Sequence, residues 1–424
     1  MEGVAPGADS GGGCNVRRGM QDSLNMDLEG LLAKANTSVA LREFTFSGNQ
    51  FAPSPGDTKQ FADGVLWLKK RMIVYQVKER ATGRSRTLSA VEKWFAKKVR
   101  DQATSQIRDT HEYLRNNTEI VLTNARGHGY NVNTGAFEAV LNVVLYGSDD
   151  DFPRDWRRRK YHVSRSSGTD LFIHLLEFSD YLLLSEALLT PMEVFEYLAF
   201  RSRYLSEVDS GSERAEKWLL GRFLMSSETH QPSLDDSVAD LSAAVDNLRN
   251  DRDLLSARKF LEGMGDRVTH VERLGATASK EVVEDTMYYG VLIAFALLNR
   301  TALKLWGERM SLALDHAKKD ELQFFRFEVP ELQCGYLVAA LPRELRSIRR
   351  GFLVRYLQLS KYERKLNACA GVSVCFDSSH IDIDWAWVEE PWAQDDALDK
   401  ILSEKGSPFR PLKEGKVLLY DTRI

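Results

Sequence analysis

The chain has 424 residues, 43% of them apolar and 28% charged, with a net charge of −4. That length is enough for two or three domains, and that composition belongs to a globular protein rather than a disordered or fibrous one. Four cysteines (Cys14, Cys334, Cys369 and Cys375) exclude a disulfide framework and point to a reducing cytoplasm.

In chain order, residues 1–37 read as a disordered tail ending in a short helix around Leu24 to Ala35. Met1 to Gly19 is glycine-rich and lacks the apolar run of a signal peptide. Ser38 to Phe46 is a short structured element, and Phe51 to Asp57, with two prolines and a glycine, reads as a turn-rich loop. Phe61 to Arg80 reads as a β-hairpin with strands at Ala62–Leu68 and Arg71–Lys78, followed by a basic loop at Ala81–Arg86. A helix is predicted over Ser89–Arg115, with Ser89 as cap and Glu92 completing a capping box. Its core stripe is Val91, Phe95, Val99, Ala103 and Ile107. Glu119–Thr123 and Ala136–Leu145 are predicted strands, giving a strand-helix-strand crossover. Arg154–Lys160 is a basic cluster around Trp156. Either it grips phosphates while the indole stacks on a base, or it is an exposed arginine-rich loop. Leu171–Phe178 is a strand, and Thr190-Pro191 opens a helix that ends near Leu205.

The domain boundary falls in residues 206–260, a linker region with helical stretches at 213–225 and 233–249. Residues 261–424 form a second, helix-rich α/β domain. Its helices are predicted around 280–317 and 342–366, and its strands around 322–328, 335–341, 371–376 and 380–388. The most apolar run, Met287–Leu298, is short of the ~20 residues that span a bilayer and reads as a buried helix. No membrane association is expected.

The chemistry gathers in the hairpin. Gln76 and Lys78 are two apart, so both leave one face of their strand. The apolar run Met72–Tyr75 with Val77 marks a strand covered on both faces. An amide and an ammonium on such a strand need partners, and Asp63 on the paired strand is the natural one. The three form either a structural ion pair with its neighbouring amide or the centre of a site. From Lys69 to Arg100 there are 11 Lys and Arg against 2 Asp and Glu, a stretch suited to a phosphate backbone or to a solvated helix face.

Asp63 followed by Gln76-Val77-Lys78 resembles the core of the PD-(D/E)XK nuclease superfamily. Most members carry Glu or Asp where this chain has Gln76; some branches, including Mrr-like restriction enzymes, carry Gln. The resemblance covers about Ala40 to Asn124. It implies a restriction-endonuclease-like mixed sheet flanked by helices over residues 38–205. It implies a site of Asp63, Glu43, Gln76 and Lys78. Asp63, Glu43 and the Gln76 carbonyl oxygen would hold Mg²⁺ (or Mn²⁺), and Lys78 would activate the attacking water. Arg80, Arg84, Arg86, Lys97, Lys98, Arg157, Arg158 and Arg159 are then candidates for the nucleic-acid surface. Gln106, beside the helix stripe, is either a further member or a polar boundary residue. The implied function is hydrolysis of phosphodiester bonds in DNA, in restriction or anti-phage defence, by analogy as a homodimer. The C-terminal domain would meet a target or protein partner. The competing readings are a nucleic-acid-binding module that has lost catalysis, and a scaffold whose basic patch meets an acidic protein.

Other motifs are weaker. Cys369, Cys375, His380, Asp382 and Asp384 are spaced as a hairpin with ordinary thiols rather than as a zinc site. There is no P-loop, no Gly-x-Ser-x-Gly elbow and no His-Glu-x-x-His.

Overall fold

The computed structural model describes residues 28–37, 42–54, 57–80, 87–124, 127–148, 152–165, 170–207, 215–226, parts of 250–263, 289–377 and 380–411. Residues 1–27 of the predicted tail over 1–37, the loop bearing Arg84 and Arg86, and the predicted helix at 233–249 lie outside the described residues.

The chain folds into mixed sheets flanked by helices. Helix α1 (Leu28–Thr37) precedes a short strand β1 (Thr45–Phe46). Strands β2 (Gln50–Ser54) and β3 (Asp57–Gln60) then pair as a small antiparallel ribbon, where a loop is predicted. Pro53 is tolerated because a two-stranded ribbon leaves many backbone donors unneeded, and the register is irregular between Phe51 and Ser54. The central hairpin is β4 (Gly64–Leu68) and β5 (Arg71–Lys78), paired antiparallel as expected. Met72 to Val77 are all buried, as a strand with both faces covered requires.

Helix α2 follows in three consecutive segments, Leu88–Trp94, Phe95–Gln102 and Ala103–Asn116, the middle one π-helical. It begins one residue before Ser89, with Thr87 at the cap position and no side-chain capping bond, so the predicted capping box is not used. The predicted stripe is buried throughout. On an α-helix a residue every fourth position drifts about 40° per step, which would carry Ile107 off the face begun by Val91. The wider π segment takes up that drift.

Strands β6 (Glu119–Thr123) and β7 (Gly129–Asn133) form a separate ribbon. The crossover from β5 instead lands on β8 (Ala139–Tyr146), parallel to β5. The reason is legible in burial: β6 alternates exposed and buried residues, whereas β8 is apolar enough for both faces of a sheet. The Asn49 side chain ties the ribbon down, accepting from Thr123 N–H at 2.8 Å and donating to its carbonyl at 3.2 Å. After the short helix α3 (Arg154–Arg157), β9 (Tyr161–Ser164) and β10 (Leu171–Glu177) complete a six-stranded sheet of order β1-β4-β5-β8-β10-β9. Strands β5, β8 and β10 are mutually parallel.

Helix α2 covers one face of this sheet. Phe95 packs on Tyr146 at 5.3 Å between ring centroids, and His111 Nε2 lies 2.7 Å from Asn142 Oδ1. On the other face Tyr75 meets Tyr181 of α4 (Phe178–Ala187), whose hydroxyl also reaches Asn36 of α1. Helices α5 (Pro191–Glu207) and α6 (Glu216–Ser226) extend that layer. Thr190 caps α5, accepting from Glu193 N–H at 3.2 Å, with Pro191 at its first position.

The C-terminal unit comprises α7 (Tyr289–Ala296), α8 (Arg300–Lys318), β11 (Gln323–Val329), β12 (Cys334–Leu341), α9 (Arg349–Glu363), β13 (Ala368–Asp377), β14 (His380–Glu389) and α10 (Asp396–Lys405). Its four strands lie in the order β11-β12-β13-β14, with β12 and β13 parallel and joined through α9. The two sheets share one apolar cluster. Tyr289 is a link, stacked on Trp67 at 5.5 Å and packed on Tyr130 at 4.2 Å. Among the described residues no single helix is long and apolar enough to cross a membrane; α7 and α8 together reach that length but meet at 114°.

Candidate active site

The hairpin register pairs Gly64 with Tyr75 and so sets Asp63 opposite Gln76. Side-chain alternation puts Asp63, Gln76 and Lys78 on the face under α2. The Val77 N–H donates to Asp63 Oδ2 at 2.6 Å. The Lys78 ammonium lies 3.4 Å from the same oxygen, 3.3 Å from Gln76 Oε1 and 2.9 Å from the Val77 carbonyl oxygen. The Asp63 and Lys78 side chains are only 9% and 12% exposed, so water screens their attraction weakly. Three oxygens thus converge on one cationic atom at the C-terminal end of a central strand.

The neighbouring parallel strands end at the same level. Lys78 pairs with Tyr146, and Tyr146 with Glu177; Gly147 N–H donates to the Lys78 carbonyl at 3.2 Å. Glu177 bonds Ser148 and pairs with Arg157 at 3.6 Å. The Arg157–Arg159 loop is therefore anchored at the edge where the hairpin site opens. Arg158 and Arg159 are exposed. Trp156 is not available for a base. It packs on Phe95 at 5.0 Å, its indole N–H faces Glu92, and Arg159 lies over its ring at 4.0 Å. Lys160, the last basic residue of this cluster, is buried against Glu216 at 3.0 Å. Lys97 and Lys98 are exposed on α2, with Lys98 bonded to Gln102, and Arg80 is half-buried after β5.

Gln106 lies on α2 between Phe95, which packs at the level of Lys78, and His111, which bonds at the level of Val74. It is therefore near the level of Gln76. Its Oε1 is buried with no hydrogen-bond partner. Burial, followed by Arg115 and Arg108 nearby, lowers the His111 pKa despite its bond to Asn142.

Glu43 is not brought to this group. β1 pairs Thr45 with Leu66 and Phe46 with Val65, so the chain before Thr45 runs toward Leu68 and away from Asp63. Glu43 is buried in a 3₁₀ turn (Arg42–Phe44) beside Asn124, where burial, Tyr130 and then Glu43 raise the pKa of Tyr289. The helix that does reach the site end is α1, whose Leu28 would meet a Cβ on Gly147 at 2.9 Å. Glu29 lies in the first turn of α1 and is exposed. The short helix expected around Leu24 to Ala35 is present as α1, but it is packed through Leu32 and Ala35 rather than ending a disordered tail.

Among the described residues no group of three or more His, Cys, Asp and Glu side chains is placed to hold a metal ion. The hairpin offers instead one carboxylate, one side-chain amide oxygen and one peptide oxygen. These are hard donors that fit Mg²⁺ or Mn²⁺, with less negative charge than a two-carboxylate site. Cys375 and Asp382 face each other across the β13–β14 hairpin, Asp382 bonded to Arg346. Comparison with protein-family models, curated proteins and solved structures gives no match.

Proposed function

We propose that this protein is a metal-dependent nuclease that hydrolyses phosphodiester bonds in DNA, with a restriction-endonuclease-like core. The observation that carries the proposal is the convergence of Asp63, Gln76 and Lys78 at the end of β5. The order of elements supports it: helix, antiparallel strands β1, β4 and β5, a covering helix, then parallel β8.

Asp63, the Gln76 carbonyl oxygen and the Val77 carbonyl oxygen would hold the ion. When bound, it neutralises charge on the phosphoryl oxygens and makes the attacking water more acidic. Lys78 offsets the charge that develops on the phosphate. Gln106, with its unused Oε1 above the same face, orients the attacking water. Arg157, Arg158, Arg159, Lys97 and Lys98 flank the site and contact the phosphate backbone. The single carboxylate in the hairpin favours one other reading, a DNA-binding module without catalysis.

The deciding experiment is plasmid and single-strand cleavage with Mg²⁺ or Mn²⁺. Metal-dependent cutting that is lost in both Asp63→Ala and Lys78→Ala is the expected result. DNA binding without cutting by folded wild-type protein would select the binding module, and neither activity would end both readings.

A further inference from the structure

We propose that the Lys78 ammonium is a built-in occupant of the cation position, so that a divalent metal enters only by expelling it. The three oxygens that suit a hard cation are the ones that hold Nζ, at 2.9, 3.3 and 3.4 Å. A divalent ion among them would lie within a few ångströms of the ammonium, where like charges in a weakly screened site repel strongly. The two cations are therefore exclusive.

The site is built to survive the exchange. Val77 N–H holds Asp63 Oδ2 at 2.6 Å independently of Lys78, so the carboxylate stays aimed when the ammonium leaves. The four-carbon lysine stem can swing to a new rotamer. Among the described residues Asp63 is the one carboxylate that pairs with Lys78, so expulsion leaves the ammonium in need of a new acidic partner. A substrate phosphate supplies one. Metal and DNA then bind cooperatively, and metal alone binds more weakly than metal with DNA. That last step rests on the nuclease reading; the exchange itself rests on the geometry.

The test is Mn²⁺ titration of the full chain by calorimetry or electron paramagnetic resonance. Removing the occupant raises the fraction of protein with free oxygens, so Lys78→Met is expected to bind Mn²⁺ about tenfold more tightly than wild type. Asp63→Asn added to Lys78→Met is expected to abolish that binding. Equal or weaker binding by folded Lys78→Met overturns the proposal, as does tight binding that survives Asp63→Asn. A second measurement needs no variant: acetylation of Lys78 in wild-type protein, read by mass spectrometry. Labelling should rise several-fold on saturation with Mn²⁺, and unchanged or reduced labelling overturns the exchange. Cleavage is scored separately. A changed affinity without any cutting keeps the exchange and removes the nuclease, whereas cutting without the affinity change does the reverse.

Discussion

At the scale of residues, the site depends on one carboxylate being fixed by a backbone N–H while an amide and an ammonium share its face. Replacing Asp63 by Asn keeps the shape but removes the charge. We expect cleavage to fall at least about 100-fold with the thermal transition retained, which activity assays and circular dichroism on the same sample will check. Glu43 gives the contrasting case. Buried beside Asn124 and within electrostatic reach of Tyr289, it is a packing residue by position, so Glu43→Gln should leave cleavage within about twofold while altering the melting temperature. A loss of cleavage equal to that of Asp63→Asn would contradict the placement.

At the scale of elements, the loop bearing Arg157–Arg159 is held by a buried ionic group that spans four elements. Arg201 of α5 bonds Glu216 of α6, the Lys160 and Leu175 carbonyls and His174 of β10, while Tyr197 donates to Glu216. Burial and then Arg201 depress the His174 pKa well below 6.5. Unfolded, this imidazole takes a proton below about pH 6.5, so its contribution is fully present above that value and is lost as pH falls. Burial pushes Glu216 up, but Arg201 and Lys160 outweigh it and hold the carboxyl at about 2 against an ordinary 4.5. That stabilisation is present above pH 4.5 and is lost as pH falls toward 2. Asp180 has the opposite sign: burial and then Glu216 push it up to about 6 from 3.8, so its ionisation opposes folding as pH rises through that range. Asp180→Asn should therefore add on the order of 1 kcal/mol of stability above about pH 7 and nothing below about pH 3.5. Urea unfolding at both pH values measures this, and a gain at low pH would reverse the assignment. On the outer side of the same loop, Arg158→Ala with Arg159→Ala should weaken DNA binding for all sequences alike. The slope of log affinity against log salt should shrink by about 2.

For the whole molecule, the aromatic group around Tyr289 ties the hairpin of the first sheet to the C-terminal unit, and Lys69 pairs with Glu389 across the same junction at 2.6 Å. Two sheets that share one apolar cluster should unfold together. Tyr289→Ala should cost roughly 3 kcal/mol and divide the single denaturant transition into two. A smaller loss with one transition retained would show that the units are joined elsewhere.

The sequence by itself determined those features that depend on neighbours along the chain. Alternation placed Gln76 and Lys78 on one face, the run Met72–Val77 marked a strand covered on both sides, and i+4 spacing named the buried stripe of α2. The four C-terminal strands were legible for the same reason. Tertiary structure decided what depends on distant pairing. It chose β8 rather than β6 as the partner of β5, because only β8 is apolar on both faces, and it sent Glu43 to the far end of β4 through the register of β1. It also closed Trp156 under Arg159 and placed Lys160 inside against Glu216. Spacing in sequence fixes which side of an element a residue occupies; only the register between strands and the packing of layers fixes which residues from different elements meet.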